Sequence, residues 1–157
     1  MSRILGEVRT RYVLPVLLAP GSILTELQVP GLGGAPPGYH ALSEGDAVVD
    51  VAELSMDDYV VKAGYSSGTT YGWFSHIKHD CNLPGNSSLT SEYVIVGHKG
   101  RPFALKGDSG AFVLNRRGGL AGLLIAGHKD LNTAYVTPIT EVMQDIQQVT
   151  GHQVTLP

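Results

Sequence analysis

The chain has 157 residues, of which 43% are hydrophobic and 16% charged, enough for one domain with its own core and short for two. Its formal net charge is -3, and Lys and Arg are scattered apart from the Arg116-Arg117 pair, which argues against a nucleic-acid partner. No apolar run is long enough to cross a bilayer, and the single cysteine, Cys81, excludes an intrachain disulfide and fits a reducing, cytoplasmic setting.

In chain order, Arg3, Arg9 and Arg11 ahead of the apolar stretch 12–19 imitate a signal peptide, but Glu7 and Pro15 argue against one. Residues 4–11 and 12–19 are expected to form two strands, the second an edge or bulged strand because of Pro15. The Gly- and Pro-rich stretch 30–38 reads as a loop. From there short strands are predicted over 47–52, 59–63, 71–77, 93–98, 111–114, 122–126 and 135–138. Between them lie turn-forming residues such as Ser66-Ser67-Gly68, Pro84-Gly85-Asn86, Lys99-Gly100, Arg117-Gly118-Gly119 and Leu131-Asn132-Thr133. This spacing indicates an all-β barrel or sandwich. A helix is expected over 140–149, with Thr140 as N-cap, Gly151 just past its end, and Val142, Ile146 and Val149 sharing a face.

Chemistry concentrates in Lys106-Gly107-Asp108-Ser109-Gly110, a polar turn that runs into the apolar Ala111-Phe112-Val113-Leu114. A serine between glycines can lift its hydroxyl clear of the backbone, and the amides of Gly107 and Ser109 can converge on a developing oxyanion. An isolated tetrapeptide of this kind also suits an ordinary hairpin turn, so its flanks decide the reading.

Those flanks resemble the C-terminal barrel of trypsin/chymotrypsin-like serine proteases over residues 58–151. Three ordered matches carry the resemblance: Gly64-Tyr65-Ser66-Ser67-Gly68-Thr69-Thr70-Tyr71-Gly72 as the early hairpin, Gly107-Asp108-Ser109-Gly110 as the nucleophile turn, and 122–127 followed by Tyr135-Val136-Thr137-Pro138-Ile139 and a terminal helix. The resemblance implies a single six-stranded antiparallel barrel with a C-terminal helix over 46–157. The segment 1–45 would be an extra β segment that covers the barrel or mediates a homodimer. It further implies Ser109 as nucleophile, the Gly107 and Ser109 amides as oxyanion hole, and Asp108 as a buried carboxylate that holds the turn through an ion pair or hydrogen bonds. Phe103, six residues before the serine, would floor the primary specificity pocket, and an aromatic there cannot balance a basic side chain.

The partners that activate such a serine do not match. The family's sequence contexts for the base and for its orienting carboxylate are absent, and only 57 residues precede Asp58. His40 lies upstream as the family order demands and is the candidate base. The strand beside the nucleophile, which in the family usually ends Ser-Trp-Gly, here ends Ile125-Ala126-Gly127, and Ile125 has no side-chain donor. No metal or cofactor site is predicted, since His76 and His79 are three apart without identifiable partners.

The sequence therefore points to a protease homologue that keeps the nucleophile turn, has lost or weakened peptidase activity, and binds a peptide or small-molecule ligand. Candidate binding residues are Phe103, Lys106, Ile125, Gly127, His128, His98 and Trp73. Two alternatives stay open: a barrel recruited as a non-hydrolytic enzyme or small-molecule binder, and a weak peptidase completed by His40 or a second chain. An α/β-hydrolase elbow is disfavoured, because Ser109 leads into a strand and Ala111 stands where a second glycine belongs.

Overall fold

Along the second half of the chain apolar residues alternate with polar ones, and a two-residue period sends one set to a common interior. In a computed structural model, which describes residues 35–39, 48, 50–82, 89–128 and 130–156, six antiparallel strands close into a barrel. They are β1 (Tyr59–Gly64), β2 (Gly68–Asn82), β3 (Leu89–Gly97), β4 (Phe112–Asn115), β5 (Leu120–His128) and β6 (Thr133–Pro138). Their order around the barrel is β1-β2-β3-β6-β5-β4, and β1 pairs with both β2 and β4, so the strands leave no open edge. Helix α1 (Ile139–Thr150) follows β6 directly and packs on β5 and β6. The all-β barrel with a C-terminal helix is thus as expected. The strands expected within 4–19 lie outside the described residues.

The interior follows from alternation. In β6, Ala134, Val136 and Pro138 are buried while Thr133, Tyr135 and Thr137 are half-buried. Val60, Ile95, Val113 and Leu124 join Val136 in the core, where the Phe74 and Tyr93 rings meet edge to face at 5.0 Å. Residues 35–39 pack on this barrel. The Tyr39 ring stacks on Tyr59 at 4.6 Å and meets Tyr71 edge-on, and its hydroxyl lies 3.0 Å from His98 Nδ1. Burial, with a smaller contribution from Tyr59, pushes the Tyr39 phenol up to about 12.

Some expectations are corrected. Residues 50–52 form no strand and make only a parallel bridge between Val51 and Leu120, because the barrel is already closed by the β1–β4 pairing. β2 is longer than expected and is interrupted by a register shift between Phe74 and Lys78, where His76 has φ 66° and its Nε2 lies 3.0 Å from Asp57 Oδ1. His79 packs instead against the Tyr135 ring, so the two histidines engage different neighbours. The helix begins at Ile139, with Pro138 at its N-cap, since proline's fixed φ and missing N–H suit a helix start. Thr140 therefore sits inside the helix. Gly151, at φ 71°, closes it through its N–H to the Gln147 carbonyl. Ile139 is the residue that helix packing buries, whereas Val149 is 45% exposed.

Glu92 on β3 is fully buried, and among the described residues neither of its carboxylate oxygens has a hydrogen-bond partner. Nearby, the Glu141 carboxyl on α1 is pushed up, first by burial and then by Glu92, with Lys78 opposing. A carboxyl raised in the folded state contributes stability below its unfolded pKa, and that contribution fades as pH rises through the raised value. Glu92→Gln is expected to reduce this fading, because it removes the Glu92 contribution that raises Glu141. Urea unfolding at pH 5 and pH 8 checks it, and an unchanged difference between the two pH values would refute the coupling.

Candidate functional site

The site grows from how the loop between β3 and β4 is fastened. Leu105 to Asp108 forms a turn closed by the Asp108 N–H donating to the Leu105 carbonyl at 3.1 Å. Past it, the Ala111 N–H donates to the Asp108 carbonyl and the Gly110 N–H to the Leu124 carbonyl. Gly107 and Gly110 take φ of 104° and 92°, values closed to residues with a Cβ, so the serine between them is carried on a backbone only glycines permit.

Asp108 is the anchor, 1% exposed. Its Oδ1 accepts the Ser66 and Ser67 amides at 2.8 and 3.1 Å. Its Oδ2 accepts the Ser67 hydroxyl at 2.6 Å and the Leu105 amide at 2.9 Å, and lies 3.1 Å from the Lys62 ammonium. Lys62 in turn donates to the Ser67 hydroxyl at 2.6 Å. Burial pushes the Asp108 carboxyl up, but the Ser67 hydroxyl, the Leu105 amide, the Lys62 charge and the Ser66 amide outweigh it and hold the group below the usual carboxylate range. For Lys62 burial is the larger influence and lowers the ammonium, while the Asp108 charge and hydrogen bond raise it. The carboxylate, with its set of donors, is the member of the pair held firmly in its charged form. Gly64 leaves room for the pair: a Cβ there would stand 2.5 Å from Asp108 Oδ1 and 2.7 Å from Lys62 Nζ.

The β1–β2 hairpin also sets the peptide ahead of the serine. The Ser66 hydroxyl donates to the Lys106 carbonyl at 2.7 Å. A trans peptide is planar, so with its C=O held toward Ser66 the Gly107 N–H must face the other way. Neither the Gly107 nor the Ser109 amide donates to an acceptor among the described residues. The Ser109 hydroxyl is exposed and donates to the Ile125 carbonyl at 3.0 Å, its one hydrogen-bond partner among the described residues. Ile125 is free to offer that carbonyl because β5 shifts register between Leu124 and Ala126.

The structure thus brings together Lys106, Gly107, Asp108, Ser109 and Ile125. Phe103 is 1% exposed, and its ring lies in the barrel core with Lys62 Nζ 5.7 Å from its centroid. Gly127 lies against Ala104. His128 is exposed, and its Nδ1 accepts the Leu131 amide at 3.3 Å. His98 is engaged by Tyr39, and Trp73, 36% exposed, pairs in register with Tyr59 and Val96. His40 lies outside the described residues. Residue-type reasoning left out Lys62, Ser66 and Ser67. One signal was present: a lysine inside Val60-Val61-Lys62-Ala63-Gly64 sits in a strand whose interior demands a counter-charge.

No protein family and no curated protein matches this sequence. Solved structures do match the fold. Chymotrypsin from Cellulomonas bogoriensis is 15% identical, with a TM-score of 0.52 over 70% of this chain and 56% of its own. An inactive form of the Rv3671c protease of M. tuberculosis is 18% identical, with a TM-score of 0.54 over 78% of this chain and 65% of its own. A glutamic acid specific serine protease is 16% identical, with a TM-score of 0.50 over 79% and 64%. The chain therefore has the fold of trypsin/chymotrypsin-like serine proteases, represented by one barrel and its closing helix. It spans between a half and two thirds of the length of these structures.

Proposed function

We propose that this chain is a protease homologue whose nucleophile turn binds a carbonyl or carboxylate oxygen of a ligand rather than cleaving a peptide. The observation that carries this reading is the Ser109 hydroxyl, whose proton is directed 3.0 Å away at the Ile125 carbonyl. A backbone carbonyl is far too weak a base to take that proton, so this contact holds the hydroxyl neutral. The Gly107 and Ser109 amides, in contrast, suit an oxyanion hole: the Ser66 bond to the Lys106 carbonyl orients the first, and Asp108 immobilises the turn that carries both. Two neutral donors in one fixed turn, neither of them used within the described residues, favour an anionic or strongly polarised oxygen without any proton transfer. A peptide C-terminus or a small carboxylate has that chemistry. A homodimer, with a second copy on the flank that a neighbouring barrel covers in the family, belongs to the same proposal, and light scattering after gel filtration tests it.

The experiment is treatment with a fluorophosphonate followed by intact mass measurement, with Ser109→Ala as control. Both proteins are expected to remain unlabelled over minutes. Rapid stoichiometric labelling that Ser109→Ala abolishes would mean that a base reaches the hydroxyl, and would move the chain to the working peptidases.

A further inference from the structure

By residue type Pro36-Pro37-Gly38-Tyr39 is a tight turn: proline presets φ at its second position, and glycine admits the positive φ of its third. In the fold the Tyr39 N–H donates to the Pro36 carbonyl at 3.0 Å, and Gly38 has φ 86°. Such a turn keeps its shape by local bonds, so little is left to order when it meets a surface.

The surface it meets is the outer face of the β1–β2 hairpin, together with the residue after β3. Val60 lies in the core, so alternation turns Tyr59 outward, and its register partner Trp73 shares that face. Tyr71, opposite Val61, lies one pair further along it. Three side chains there receive one tyrosine ring. Tyr39 stacks on Tyr59 at 4.6 Å, meets Tyr71 edge-on at 5.3 Å and His98 edge-on at 5.1 Å, and sets its hydroxyl against His98 Nδ1. The backbone fits as closely as the ring: a Cβ on Gly38 would stand 2.9 Å from Tyr59 Cε2. The hydroxyl contact is the one hydrogen bond between residues 35–39 and the barrel among the described residues, and the barrel closes through β1 and β4 without them. A preformed turn with one anchoring ring, seated on a rigid face, has the parts of a bound peptide.

We infer that the outer face formed by Tyr59, Tyr71 and His98 is a docking site for a peptide turn of the type Pro-Pro-Gly-Tyr, held shut in this chain by its own residues 36–39. This site shares no residue with the Ser109 turn. The test peptide is Ac-Ala-Pro-Pro-Gly-Tyr as its amide, which offers no terminal carboxylate to that turn. It is titrated into the full chain, labelled with nitrogen-15, and into Tyr39→Ala and Gly38→Ala. The second variant loosens the resident turn by strain at φ 86° and leaves Tyr59, Tyr71 and His98 in place. In both variants the amide signals of those residues are expected to move saturably at or below about millimolar peptide. The unmodified chain should need at least about tenfold more, because its tethered turn competes at an effective concentration on the order of millimolar. A peptide ending Ala-Tyr in place of Gly-Tyr should bind at least about tenfold more weakly. If neither variant responds, there is no docking site. Equal binding by the unmodified chain, or equal binding of the Ala-Tyr peptide, would also overturn the inference, since the resident turn would then not close the site or the turn would not be what it recognises.

Discussion

Lys62→Met is expected to cost about 3–5 kcal/mol, the penalty for leaving one member of a buried pair without its partner. Both side chains are 0% exposed, and removing the ammonium strands the Asp108 charge with hydrogen-bond donors but no counter-charge. For a domain of this size the loss corresponds to a fall of roughly 10 °C or more in Tm, and it is a large share of the ~5–15 kcal/mol a domain has. The pair also predicts a pH dependence. Asp108 is held below the usual carboxylate range in the folded protein, so its contribution is present above its unfolded pKa, near ~4, and is lost as pH falls through the lower folded value. Lys62→Met should shrink this contribution and move its loss toward higher pH. The double variant Lys62→Met/Asp108→Asn should lose less than the sum of the single changes, because the stranded charge is gone. Additive losses in urea unfolding would show that the two groups do not act as a pair.

The second large effect is expected at Gly107. With φ at 104°, a side chain there costs about 1–3 kcal/mol from backbone strain alone. Its Cβ would also collide with the Ser66 hydroxyl that pins the Lys106 carbonyl. Gly107→Ala should therefore rotate the peptide between residues 106 and 107 and turn the Gly107 N–H away from the ligand. Binding of a carboxylate-ended peptide should weaken by about tenfold or more, as loss of one charge-assisted hydrogen bond implies. Gly107→Ala/Ser66→Ala relieves the collision and leaves the φ strain, so partial recovery of stability without recovery of binding would separate the two causes. Unchanged binding in Gly107→Ala would remove that amide from the site.

Much of the barrel was legible because a two-residue period and frequent turn residues are local signals. β6, with Ala134, Val136 and Pro138 inward, shows the pattern plainly. The nucleophile turn was legible for the same reason, since the glycines at 107 and 110 and the serine between them are contiguous. Long-range fastening was not. Ser66 and Ser67 read as ordinary turn residues, and only the folded barrel shows that they meet Asp108 and the Lys106 carbonyl some forty residues away. The inward turn of Phe103 was likewise hidden, because it depends on the course of the backbone through 101–104 and on space left at Gly72 rather than on the residue's distance from the serine. Of the segment 47–52 with strand-like residues, residues 50–52 make one parallel bridge and no strand, and that outcome depends on barrel closure rather than propensity.

The measurement that bears most directly on the central claim is the pH dependence of slow Ser109 phosphonylation at high fluorophosphonate concentration, from pH 5 to pH 9. A hydroxyl held by a backbone carbonyl should react at a rate that rises only with hydroxide, without an inflection. A sigmoidal rise to a plateau with a midpoint near ~6.5, the signature of an imidazole accepting the serine proton, would contradict the account.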